Sequence, residues 1–277
     1  RVQRLGLPIL GYALLLHPLT VALAQTSKGR PFAETFLRIW RDANFQMGPL
    51  WFAFALLVFT GLWLACGRRA SSVARFPSNR ALLAAALVTG AAAFLLRLVW
   101  PVGVSVAGLQ FGYFASYAVL FLAGCLAANA GLLAFIPEQQ ARLWRRIAAG
   151  AALVLPLAVL SPRWTGVSLG SFEGGWSLGA LIYALWEPFV AWGVILALLV
   201  KFQRRFAALN GVWPQLARRA FAIYVIHPPI VTGIAIAWRH IDAPPLLKFG
   251  VTGAVACLLC YLAAGLLLRI PGVNRVL

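Results

Sequence analysis

The chain has 277 residues, of which 62% are hydrophobic and only 11% charged, whereas soluble domains run near 25% charged, so a water-soluble globule is excluded. The net charge of +18 would suit a nucleic-acid partner, but the cations sit in loops between apolar runs rather than on one basic face with interleaved aromatics, and no nucleic acid is expected. All four cysteines, Cys66, Cys125, Cys257 and Cys260, lie inside apolar runs. That excludes a secreted-type disulfide framework, and the CxxC spacing of Cys257 and Cys260 lacks the nearby His or acid that a metal site would need.

A bilayer-crossing helix needs roughly 20 mostly apolar residues. In chain order the runs are Leu5–Ala24, Pro49–Cys66, Ala81–Trp100, Phe111–Leu133, Ile147–Leu160, Leu178–Val200, Ala220–Trp238 and Leu246–Leu268. In lipid the backbone must satisfy its own hydrogen bonds, so each is read as a helix. The expected fold is therefore all-α, a polytopic membrane protein of about eight transmembrane helices. Ile147–Leu160 is the shortest run.

The basic residues orient these spans, because cytoplasmic loops carry the excess of Lys and Arg. With the N-terminus inside, the inner segments hold 16 basic residues: Arg1, Arg4, Arg68, Arg69, Arg75, Arg80, Arg142, Arg145, Arg146, Lys201, Arg204, Arg205, Arg218, Arg219, Arg269 and Arg275. The outer segments hold seven: Lys28, Arg30, Arg38, Arg41, Arg163, Arg239 and Lys248. Four of the six acids, Glu34, Asp42, Glu173 and Asp242, also fall outside. Both termini are expected inside, and omitting the fifth span would place its successor loops on the wrong side.

No signal-peptide cleavage pattern follows the first apolar run. The chain begins at Arg1 rather than Met, so a processed or truncated start is expected. Trp51, Trp63, Trp100, Trp144, Trp164, Trp176 and Trp238 fall near span ends, where interfacial anchoring is enough to explain them. In the long outer loop from Gln25 to Met47, Phe32, Phe36, Leu37 and Trp40 recur at helical spacing. This predicts a short helix lying on the outer membrane surface or capping a cavity. With no internal repeat, residues 1–277 read as a single membrane domain.

Ionisable side chains at membrane depth cost roughly 2.5–3.5 kcal/mol on insertion scales and point to a site. Glu187 sits mid-span in Tyr183-Ala-Leu-Trp-Glu187-Pro188. It is either a cavity-facing carboxylate that positions a polar substrate or a carboxylate paired to a neighbouring helix. His227, in Tyr224-Val-Ile-His227-Pro228-Pro229, is either a cavity base or hydrogen-bond donor, or a structural donor to a carbonyl freed by the prolines. His17-Pro18 repeats that pattern near the end of the first span. Arg97 lies three residues before Trp100-Pro101; it can snorkel to the interface or face the cavity. Arg1 and Arg4 share a helical face, a spacing that can chelate phosphates and that the positive-inside rule explains equally well. No GxSxG, P-loop, GxGxxG or HExxH is present.

Several segments in order resemble the acyltransferase-3 family of bacterial membrane O-acyltransferases. Arg1-Val-Gln-Arg4-Leu-Gly-Leu-Pro8 resembles its RxxR segment, and Gly48-Pro-Leu-Trp51-Phe52 its LWF helix opening. Arg97-Leu-Val-Trp-Pro101-Val-Gly103, Gln110-Phe-Gly-Tyr-Phe114 and Tyr117-Ala-Val-Leu-Phe121-Leu-Ala-Gly124 are similar to its middle helices. Tyr183-Ala-Leu-Trp-Glu187 and Ala220-Phe-Ala-Ile-Tyr224-Val-Ile-His227-Pro228 resemble later ones.

The resemblance implies a ten-helix bundle of which these spans are the third to the tenth, so the domain is expected to be N-terminally incomplete. The family's usual catalytic His lies in a helix that precedes this segment, and His17 does not match it, because Gly6 stands where the paired Arg would fall. The implied reaction moves an acetyl or other short acyl group from acyl-CoA, a co-substrate rather than a cofactor, to a hydroxyl of a glycan or similar acceptor. Arg1 and Arg4 would clamp the CoA phosphates. Glu187 and His227 would orient groups or donate to the developing oxyanion. Trp51, Arg97 and Tyr224 would line the cavity. The implied location is the bacterial inner membrane, with the lipid bilayer as partner and no metal. A proton-coupled transporter or flippase would use the same buried ionisable groups, and a catalytically incomplete remnant or partner subunit is a further alternative.

Overall fold

A computed structural model describes residues 2–66, 75–106, 108–160, 172–205, 211 and 213–277, with the backbone alone at 155, 158 and 159. Arg1, Arg68, Arg69, Arg163 and Trp164 lie outside the described residues. The helices are α1 (Val2–Thr26), α2 (Phe32–Arg41), α3 (Trp51–Ala65), α4 (Asn79–Val99), α5 (Phe114–Asn129), α6 (Glu138–Leu160), α7 (Leu178–Arg205), α8 (Trp213–Ala237), α9 (Pro245–Leu267) and α10 (Val273–Val276). Among the described residues there is no strand, only an isolated bridge between Val106 and Leu109. Seven helical segments among the described residues are long and apolar enough to cross a membrane: α1, α3 with its lead-in from Gly48, α4, α5 with its lead-in from Phe111, α7, α8 and α9. The protein is an all-α, multi-pass membrane protein.

The expected fifth span is also helical, as α6, but it is not among those seven. It starts nine residues earlier than the apolar run, taking in Arg142, Arg145 and Arg146. Its apolar stretch of 14 residues, 147–160, reaches about 21 Å at 1.5 Å per residue, against a hydrocarbon core of about 30 Å.

The chain forms two compact units, residues 1–62 with 209–277, and residues 63–208. In the first unit, α1 is interrupted by a π-helical turn, Tyr12–Leu16, just before His17-Pro18. Proline withholds the N–H that would continue the ladder, and single π turns absorb such breaks. Ile9, Tyr12, Leu50, Ala53 and Val225 make the core of this unit. Gly48 is required there: its φ is +49°, and a Cβ would lie 2.5 Å from the Tyr12 ring. The helix predicted in the outer loop is α2. Thr35 and Ile39 are buried while Leu37 and Trp40 stay exposed, and Glu34 in the first turn with Arg38 and Arg41 in the last suits the helix dipole.

In the second unit, α6 and α7 run antiparallel at very close range. A Cβ on Gly193 would fall 2.2 Å from the Trp144 carbonyl oxygen, so only glycine permits this approach. Trp144, expected at the interface, is instead buried, stacked on Phe189 at 6.2 Å, and its indole donates to Asn79 Oδ1 at 3.2 Å. Asn79 opens α4, whose N-cap Ser78 accepts from the Ala81 N–H. A second close approach joins α4 and α7, where a Cβ on Gly90 would meet Leu185 at 2.7 Å. These two glycine contacts hold α7, and therefore Glu187, between α4 and α6.

Candidate functional site

Arg97 stands in the last turn of α4 and is 0% exposed. The interfacial snorkel is thereby corrected. The chain after α4 folds back over the guanidinium, and the backbone of that return supplies a partner: Nε donates to the Gly112 carbonyl at 3.0 Å. Gly112 and Gly174 make the wrap possible. A Cβ on Gly112 would sit 2.8 Å from the Trp100 carbonyl oxygen, and one on Gly174 would sit 2.5 Å from that of Arg97.

From α7, the Glu187 carboxylate meets Arg97 Nη2 at 2.5 Å through Oε2. The guanidinium lies over the rings of Tyr113 (5.2 Å to the centroid) and Tyr183 (4.7 Å), a cation–π arrangement strengthened by desolvation. The two phenol oxygens are 3.4 Å apart. Nη1 of Arg97 is buried and has no hydrogen-bond partner among the described residues. Glu187 keeps 20% of its side chain exposed, and no further hydrogen bond of its carboxylate is seen among the described residues. The centre thus combines a fixed positive charge, a spare buried donor, two hydroxyls and a partly exposed carboxylate side chain.

Glu187 and His227 belong to different units. In the first unit, His227 Nδ1 lies 2.8 Å from the Tyr224 carbonyl oxygen. That carbonyl is the one Pro228 leaves without a helical donor, so Nδ1 donates to it. Tyr224 donates its hydroxyl to the Pro49 carbonyl, tying α8 to the start of α3, where Trp51 is half-buried with its ring 6.0 Å from that of Phe52. His17 is buried, and its Nδ1 has no partner among the described residues. Arg4 is exposed in the first turn of α1. No group of three His, Cys, Asp or Glu side chains that could hold a metal is found among the described residues, and the four cysteines are unpaired.

Tyr113 and Tyr183 were not singled out from the sequence as site residues. Their signal was present in the segments around 110–114 and 183–187, but a tyrosine in an apolar span reads as an anchor until a cation is placed against it.

The sequence model of the acyltransferase-3 family, described as an acyltransferase domain, matches residues 1–265. The chain belongs to the acyltransferase-3 family. Comparison with curated proteins and with solved structures gives no match. Both Arg97 and Glu187 fall within the matched part of this acyltransferase-3 chain. Acyl transfer passes through a tetrahedral oxyanion, which is best stabilised by preorganised donors in a water-poor site. A buried arginine with a spare N–H face is a donor of that kind.

Proposed function

We propose that this protein transfers a short acyl group from acyl-CoA, arriving from the inner side of a bacterial plasma membrane, to a hydroxyl of a glycan or related acceptor. The observation that carries this reading is the buried Arg97–Glu187 pair with an unused Nη1. In the reaction the acceptor oxygen forms a bond to the thioester carbonyl carbon, the carbon–sulfur bond breaks, and the hydroxyl proton ends on the departing CoA thiol. Arg97 Nη1 donates to the carbonyl oxygen as it gains charge, while the partly exposed Glu187 carboxylate orients the acceptor hydroxyl. Arg1 and Arg4 attract the phosphates of the incoming donor by their charge at the inner membrane face, and His227 serves as an orienting group or hydrogen-bond donor. Trp51 and Tyr224 shape the apolar wall around α3 and α8.

A proton-coupled carrier is less well supported, because it needs a carboxylate that gives up its counter-charge, whereas Glu187 is locked at 2.5 Å to an arginine that the fold encloses. The test uses full-length protein in nanodiscs with acetyl-CoA and a panel of glycans, with free CoA thiol as the readout. Acceptor-dependent release that falls by about 10²-fold or more in Glu187→Gln supports the reading. Acceptor movement across vesicles without acyl-CoA, or turnover indifferent to Glu187→Gln, overturns it.

A further inference from the structure

At the end of α7 remote from its start at Leu178, α6 and α7 together line a groove of about 250 Å³. Its floor is made of small side chains, Ala141 and Ala197, and its rim is basic. Arg142 and Arg145 come from α6, Lys201 and Arg204 from α7. Each pair has i,i+3 spacing and so projects from one helical face. Against these four cations stands one carboxylate, Glu138, which engages both Arg142 and Arg204. Arg145 and Lys201 have no ion-pair partner among the described residues, so the groove keeps a surplus of positive charge.

Four cations converging on one acid repel one another, and an anion with several oxygens relieves that repulsion. A phosphate ester suits the size and charge of the groove, since Arg presents forked donors and Lys a point charge to such oxygens. The direction of α7 suggests which ester. From Glu187 to Lys201 is 14 residues of continuous helix, or about 21 Å along the axis. That separation is comparable with the reach of an extended pantetheine arm between the thiol and diphosphate of CoA.

We propose that this groove binds the phosphate-bearing end of the acyl donor, with the arm running along α7 toward the Arg97–Glu187 centre. The phosphate chemistry follows from the cations alone; the choice of donor rests on the acyl-transfer reading.

The test measures binding of CoA, dephospho-CoA and pantetheine to full-length protein in phosphatidylcholine nanodiscs, at two salt concentrations. The variant is Arg145→Gln/Lys201→Gln, which removes the two rim cations that make no ion pair. Arg275→Gln serves as a control. The double variant is expected to bind CoA about tenfold more weakly, with a shallower salt dependence and no change for pantetheine. Unchanged CoA affinity overturns the proposal. So does a variant that loses only co-purifying phosphatidylglycerol, because the groove would then be a lipid headgroup site. Glu187→Gln separates the two readings, since it should abolish transfer while leaving CoA binding intact. If the groove variant weakens CoA binding in a protein that transfers nothing, the groove stands and the acyl-transfer reading falls.

Discussion

Replacing Arg97 by Met isolates what the buried pair does. The substitution keeps a long apolar stem against Tyr113 and Tyr183 but removes the counter-charge of a carboxylate only 20% exposed, and it leaves the Gly112 carbonyl without its 3.0 Å donor. Breaking one side of a buried ion pair costs about 3–5 kcal/mol. The partial exposure of Glu187, which lets the stranded carboxyl take up a proton, places the expected loss near the lower end. Glu187→Gln also breaks the pair and leaves the fully enclosed guanidinium without its counter-charge, so a loss of about 3–5 kcal/mol is expected there too, offset in part because the amide oxygen can still accept from Nη2. The double replacement Arg97→Met/Glu187→Met removes both charges together and should recover most of the stability, since apolar substitutes for a buried pair are often neutral. Unfolding midpoints in nanodiscs would place the double variant near wild type, with both single variants clearly below them. CoA release gives the independent readout. Turnover should stay lost in the double variant, although its fold is restored. A double variant that is both stable and fully active would refute the reasoning, for the pair would then be a structural tie and the spare Nη1 incidental.

Two further outcomes are expected. Gly193→Ala should part α6 from α7, because the new methyl would meet backbone at 2.2 Å and Ala148 Cβ at 2.4 Å; overpacking of this kind costs about 1–3 kcal/mol, while Gly253→Ala, where a Cβ meets nothing within 4 Å, should be neutral or gain about 0.5–1 kcal/mol from helix propensity. Equal unfolding midpoints for the two variants would contradict the packing described for α6 and α7. Arg4→Ala should weaken acyl-CoA binding by about three- to tenfold, the worth of one exposed charge-assisted contact, with unchanged membrane insertion; an unaltered dissociation constant would remove Arg4 from the donor site.

The spans were readable because the hydrophobic length needed to cross lipid is long compared with any error at the ends. Differences arise where helix and apolar run are not the same thing. α7 continues from Val200 to Arg205 and α6 begins at Glu138, since a helix keeps its hydrogen bonds in charged sequence once it has left the hydrocarbon. The site was legible only in pieces. Glu187 and Arg97 each stood out as ionisable groups, but they are 90 residues apart, and no periodicity couples positions on different helices. The nearness of Arg97 to Trp100-Pro101 suggested an interface, because sequence does not show that Gly112 and Tyr113 return to enclose it. His227 was better determined. Pro228 frees the carbonyl of Tyr224, one turn earlier on the same helix, so the bond to Nδ1 follows from local spacing alone.

What separates the Arg97 centre from a structural ion pair is its incompleteness. Buried polar atoms in folded proteins are nearly always satisfied, and each exception needs a reason. A guanidinium kept only for stability would have its donors saturated by the carbonyls and hydroxyls around it, since leaving one unmade costs about 1–3 kcal/mol. Here Nη1 is unsatisfied among the described residues even though the guanidinium lies over two tyrosine rings. A second unsatisfied group, Ser116 Oγ, lines a small void beside Pro188, the residue after Glu187. Pro188 also leaves the Ala184 carbonyl without its helical donor. Unused donors and acceptors therefore gather around one turn of α7. That is the pattern expected where hydrogen bonds are reserved for a bound molecule and completed only when it arrives.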